Sequence, residues 1–236
     1  MKPLLLALQF MTRLPLPVIA VSAEDYGKAI RWFPVVGCVV GVGVWAAALV
    51  GAMRDPALGA LLGLAAWVGL TGALHLDGLG DMADAAGAAH ADRSRVSAVL
   101  ADPHIGSFGM VAITLQLLAK FVLLQCLLAG ANAAWLVLAP VLARVGPLAW
   151  TLLLPPLHDG FGTMFRKGAN WPVLACWLMA WSGVALLFSP MLIIAVVALP
   201  LWALWLRKRI GGISGDGHGA GIELVETAGL IVLVLV

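Results

Sequence analysis

Twelve Asp and Glu residues occur among 236, and six of them fall in two short stretches whose spacing suits chemistry. The first stretch reads His75-Leu76-Asp77-Gly78-Leu79-Gly80-Asp81-Met82-Ala83-Asp84. Asp77, Asp81 and Asp84 stand at i, i+4 and i+7, which puts three carboxylates on one helical face. Like charges at that spacing repel, so something positive is expected to compensate. A hard divalent cation such as Mg²⁺ suits such ligands, because it takes carboxylate oxygens, keeps waters and bridges substrate phosphates. The competing reading is a solvated acidic helix end, and Gly78 and Gly80 weaken the helix on which the argument rests.

The second stretch runs from Gly211 to Glu226 and holds Gly215, Asp216, Glu223 and Glu226. Its glycines leave backbone N–H groups free to approach an anion. Glu223 and Glu226 then stand i, i+3 at the start of an apolar run, where acids are expected to face protein, water or metal. The competing reading is a helix N-terminus that favours acids through its dipole. Between the two stretches lie Asp92-Arg93-Ser94-Arg95 and Asp102-Pro103-His104, followed by Gly106 and Gly109. Arginines there match phosphate geometry, although membrane topology alone would also place cations in that loop. Lys120 and Arg144 sit well inside apolar runs. Arg144 is expected to pair with an acid or a substrate phosphate, and Lys120 is left outside the site. Acidic metal ligands, arginines and a glycine-rich segment together suit phosphoryl transfer.

These groups have to be held by membrane helices. Of the residues, 62% are hydrophobic and only 11% charged, against about 25% charged in soluble domains, and the mean hydropathy is +1.03. That excludes disorder. A net charge of +2 gives no basic field for nucleic acid. Apolar runs of spanning length lie near 33–53, 57–76, 107–129, 134–154, 172–188, 190–206 and 221–236. The fold class expected is therefore all-α: a polytopic integral membrane bundle of about seven transmembrane helices, forming a single domain over 1–236. Residues 3–14 read as a short amphipathic or re-entrant segment kept in the mature chain, because Gln9, Arg13, Pro15 and Pro17 interrupt what would otherwise resemble a signal peptide. If the spans alternate, Lys28, Arg31, Arg93, Arg95, Arg166, Lys167 and Arg207–Arg209 share one side, and only Arg54 faces the other. The positive-inside rule makes the charged side cytoplasmic, and the acidic stretches with it. Cys38, Cys126 and Cys176 are far apart and read as small buried hydrophobes.

Taken in order, these motifs resemble one known family, the adenosylcobinamide-GDP ribazoletransferases or cobalamin-5′-phosphate synthases. The resemblance covers nearly the whole chain. It rests on Phe10-Met11-Thr12-Arg13-Leu14-Pro15, Phe33-Pro34-Val35-Val36-Gly37, the His75–Asp84 stretch, Asp102 with Gly106 and Gly109, and the pattern from Gly211 to Glu226. It implies transfer of adenosylcobinamide phosphate from adenosylcobinamide-GDP to α-ribazole or its 5′-phosphate, with release of GMP and a requirement for Mg²⁺. It further implies a bacterial cytoplasmic membrane and leaves open the docking of other cobalamin-assembly enzymes. Carried over by motif, Asp77, Asp81 and Asp84 become metal ligands, with Glu223 and Glu226 a second acidic set. Asp216, Gly215, Arg93 and Arg144 become substrate contacts, and Asp84 or Asp102 the proton acceptor. The chain departs from the family pattern at Ala85, His104, Gly217 and His218, none of which removes a carboxylate. A CDP-alcohol phosphotransferase is the nearest alternative, but Asp77-Gly78 lacks that family's following Ala-Arg. A divalent-cation transporter would need acids at mid-membrane depth on several spans.

Overall fold

The computed structural model describes residues 2–91, 96–130, 133–157 and 161–236. Twelve α-helices are found among the described residues: α1 (Lys2–Met11), α2 (Ala23–Ala29), α3 (Phe33–Ala52), α4 (Pro56–Thr71), α5 (Leu74–Ala91), α6 (Val96–Leu100), α7 (Ser107–Ala129), α8 (Leu138–Leu153), α9 (Phe161–Arg166), α10 (Trp171–Phe188), α11 (Ala198–Arg209) and α12 (Gly215–Leu235). Six helical segments are long and apolar enough to cross a membrane: Ala23–Ala52, Ser107–Ala129, Ala133–Leu153, Trp171–Phe188, Pro190–Arg209 and Gly215–Leu235. The pair α4 and α5 makes a seventh when its bend is allowed. The protein is thus a multi-pass membrane helix bundle, as the apolar runs imply. The segment 3–14 becomes the helix α1, whose ten residues reach only about 15 Å and are too short to span.

α8 is the central helix, and α3, α10 and α12 pack around it. Lipid cannot drive helices together by the hydrophobic effect, so close backbone approach has to do so. Small residues supply it: a Cβ on Gly37 would lie 2.5 Å from the Pro140 carbonyl of α8, and one on Gly51 would lie 2.6 Å from the Gly59 nitrogen of α4. The outer spans present their side chains to the surroundings. Cys38, Cys126 and Cys176 are exposed on α3, α7 and α10, so the expectation that they are buried is corrected. In a membrane span an apolar neighbourhood in sequence fits a lipid-facing surface as well as a protein core.

The bend between α4 and α5 positions the chemistry. The two helix axes differ by 85°, and the turn is made by two consecutive left-handed residues, Gly72 at φ +62° and Ala73 at φ +59°. The main chain of α1's exit ties to this corner, with Arg13 N–H donating to the Leu70 carbonyl at 2.7 Å. The Arg13 side chain packs where a Cβ on residue 72 would sit, 2.3 Å from its Nε. Gly72→Ala should therefore destabilise the protein by more than the roughly 1–2 kcal/mol that a left-handed L-residue costs. Thermal unfolding in detergent reads that loss directly.

Candidate active site

α5 and α12 cross in backbone contact, and the crossing is built from glycine. A Cβ on Gly78 would lie 3.0 Å from Asp216 Cα, and one on Gly219 would lie 3.3 Å from His75 Cα. Gly78 and Gly80 do not break the helix; α5 is continuous from Leu74 to Ala91. Gly215 to Gly219 are likewise not an open loop but the first turn of α12, capped by the Ser214 hydroxyl, which accepts from the Gly217 N–H at 3.0 Å. The close approach brings the two acidic stretches together. Asp77 and Asp216 line one cavity of about 150 Å³, and Asp81 carries unfavourable electrostatic interactions with Asp77, Asp216 and Asp84. Gly215 lies exposed at the same place, also on the cavity wall.

Asp84 is held differently. Its carboxylate accepts from the backbone N–H of Gly106 at 2.7 Å and of Gly109 at 3.0 Å. These are the first amides of α7, whose N-cap Gly106 has no side chain to satisfy them. Asp84 thus caps α7 from α5, with the helix dipole favouring its charge. Glycine is required because a Cβ on residue 106 or 109 would lie 2.4 Å from an Asp84 oxygen. Gly109→Ala is expected to push Asp84 off the α7 terminus and to cost about 1–3 kcal/mol, the usual range for overpacking, measurable by detergent unfolding. Asp102 lies exposed on the loop before α7, where the ring and backbone nitrogens of His104 meet its carboxylate at 2.7 and 3.0 Å. These hydrogen bonds, the side-chain one foremost, hold the Asp102 carboxyl below its ordinary range.

Glu223 and Glu226 lie deeper, well along α12, and both are buried. Their carboxylates, which the family motif assigns to a second acidic set, have cationic partners within the protein. Lys120 Nζ donates to Glu223 at 2.6 Å and also to Glu226. Arg144 donates to Glu226 as well, and Trp67 Nε1 reaches the same carboxylate at 3.2 Å. Gln116 donates to Glu223 at 2.9 Å, and Lys120 sits 4.3 Å from the Trp67 ring centroid. Two acids and two cations form a neutral cluster where α7, α8 and α12 meet α4, as burial of charge demands. Arg144 therefore pairs with an acid, one of the two partners expected for it, and Lys120 belongs to the same cluster. Sequence reasoning could not place Lys120 because its partners lie 103 and 106 residues away. Arg93 lies outside the described residues.

One wall of the cavity was not anticipated at all. Phe10 of α1, Phe33 of α3 and Phe165 of α9 line it. Phe10 stacks on Phe33 at 6.0 Å between centroids, and Phe165 meets both edge-on at 5.3 Å. Phe10 and Phe33 belong to the two N-terminal motifs noted above, but nothing in their spacing pointed to a shared cavity.

Among the described residues no three His, Cys, Asp or Glu side chains draw in closely enough to enclose a metal ion by themselves. That arrangement still fits Mg²⁺, which binds through one or two carboxylates and completes its shell with water and substrate phosphate. The mutual repulsion at Asp81 is what such a cation would relieve.

A family model described as cobalamin-5-phosphate synthase matches residues 3–234. The adenosylcobinamide-GDP ribazoletransferase of Novosphingobium aromaticivorans is 52% identical, over 98% of this chain and 95% of its own. Those of Thiobacillus denitrificans and Laribacter hongkongensis are 46% and 48% identical, over 98% and 100% of this chain and 94% and 97% of theirs. No solved structure is a significant match. With a match that runs almost from end to end and takes in both halves of the acidic crossing, the chain belongs to the cobalamin-5-phosphate synthase family.

Proposed function

We propose that this protein is an adenosylcobinamide-GDP ribazoletransferase whose reaction takes place at the α5–α12 crossing. The observation that carries the reading is the meeting of Asp77, Asp81 and Asp216 beside a cavity, in a chain that matches the family over residues 3–234. The 3′-hydroxyl of α-ribazole, or of its 5′-phosphate, attacks the phosphorus that stays on the corrinoid. A new O–P bond forms, the bond from that phosphorus to the GMP oxygen breaks, and GMP leaves. The hydroxyl proton passes to a carboxylate of the Asp77–Asp81–Asp216 set. Asp84 is less suited to that task than expected, because both of its oxygens already accept amide hydrogens. Its role in this reading is to fix α7 against α5. Mg²⁺, held by one or two of Asp77, Asp81 and Asp216, would neutralise charge on the pyrophosphate and leave the remaining carboxylate to take the proton.

The site faces the cytoplasm of a bacterial inner membrane in this reading. α12 begins a few residues after Arg207, Lys208 and Arg209 close α11, so the acids share the end of the bundle that carries the cations. The neutral cluster of Glu223 and Glu226 argues against a cation transporter. Their acids lie deep rather than at the start of a span, where the sequence places them, but they belong to one helix and are already paired.

The test is turnover by purified protein in liposomes given adenosylcobinamide-GDP, α-ribazole-5′-phosphate and Mg²⁺. GMP and the joined corrinoid should appear in equal amounts and stop on chelation of the metal. Turnover of a CDP-alcohol without any corrinoid would overturn the reading.

A further inference from the structure

The cavity beside Asp77 and Asp216 has a chemical character of its own. Its volume is about 150 Å³, too small for a corrin ring. Three phenyl rings from three separate helices form one apolar wall. His75, 97% buried, lies on another part of the lining. Its Nδ1 stands 3.5 Å from Arg144 Nη2. A guanidinium has donors only, so Nδ1 is the acceptor of that contact and the neutral ring carries its proton on Nε2. That Nε2 is buried and has no partner. Arg144, held by Glu226, thereby favours the tautomer that leaves an unsatisfied hydrogen-bond donor on a residue of the cavity lining.

We propose that this cavity binds the aromatic base of the ribazole substrate, with His75 Nε2–H donating to the free ring nitrogen of the benzimidazole. The inference rests on the ribazoletransferase reading and deepens it. A benzimidazole riboside offers an apolar bicyclic body and one ring acceptor, which suits three phenyl rings and the His75 donor; His218, whose buried Nδ1 also has no partner, lies on the same lining. Asp77 and Asp216 on the same lining then stand beside the ribose, where its hydroxyl has to react. α1 acquires a function in this arrangement: Phe10 closes the pocket from a helix too short to span.

The experiment uses the full chain in lipid nanodiscs and measures equilibrium binding of α-ribazole with no second substrate, alongside KM for each substrate during turnover. His75→Phe removes the donor and keeps a ring; Phe165→Ala opens the wall. Each should weaken α-ribazole binding by about tenfold, as loss of one buried hydrogen bond or ring contact does, and raise its KM in step. KM for adenosylcobinamide-GDP should stay within about twofold. An indole riboside, in which CH replaces the free ring nitrogen, should bind the wild type more weakly than α-ribazole and bind His75→Phe equally well. That comparison is made within one protein, so it holds even if the variant is less stable. Unchanged ribazole affinity in both variants, equal loss for both substrates, or a nitrogen preference that survives in His75→Phe would each overturn the proposal. Ribazole binding that depends on His75 in a protein releasing no GMP would keep the pocket and defeat the transfer reading.

Discussion

Glu226→Ala is expected to cost about 3–5 kcal/mol of stability, the range found when one partner of a buried ion pair is removed. Glu226 is fully buried and accepts from Lys120, Arg144 and Trp67 at once. Without it, two buried cations share the single carboxylate of Glu223. Arg144 would also be free to move, and with it the His75 ring that it orients. Unfolding in detergent, followed by tryptophan fluorescence, measures the loss; a change under about 1 kcal/mol, the size of an exposed pair, would show that the cluster is solvated. Replacing the four charged members together by apolar residues of similar volume should recover much of the stability, because the desolvation cost of each ion goes as well.

Asp81→Asn should act in the opposite pattern: about 10²–10³-fold slower GMP release, the size of one lost transition-state electrostatic contact, with stability equal to the wild type or slightly higher. Asp81 is partly buried and is also repelled by Asp77, Asp216 and Asp84 in the protein alone, so removing its charge relieves the folded state while depriving the metal of a ligand. Two measurements check this, turnover as a function of Mg²⁺ and unfolding in the absence of Mg²⁺. A variant that is slow because it is unstable would contradict the assignment, as would one whose Mg²⁺ requirement is unchanged.

The spans were legible because a bilayer demands long apolar runs, and runs of that length leave few alternatives. The α4–α5 bend was not, since Thr71-Gly72-Ala73-Leu74 lies inside the apolar run 57–76, which reads as one span; only coordinates reveal two left-handed residues in succession. At the site, i, i+4, i+7 spacing correctly put Asp77, Asp81 and Asp84 on one helix, because that is local information. The partners of Glu223 and Glu226 were illegible for the converse reason: charge pairing across more than eighty residues leaves no local trace. Asp84 shows a third case. Gly106 and Gly109 were visible as part of a motif, but only the distances reveal that they are small so that a carboxylate can reach the α7 amides.

The neutral cluster also sets an order for biogenesis. Lys120 and Arg144 leave the ribosome 82 or more residues ahead of the acids that neutralise them, a delay of several seconds at about 5–20 residues per second. During that time α7 and α8 each carry a lone cation, which costs about 2.5–3.5 kcal/mol at the centre of a bilayer even by translocon scales. They are therefore poor candidates for independent release into lipid and good ones for retention beside the insertion machinery. The arrival of α12 removes both penalties in one docking event. A nascent chain stalled before α12 would display two unmatched cations within the membrane, a signature by which proteases of the quality-control system can tell an unfinished molecule from a finished one.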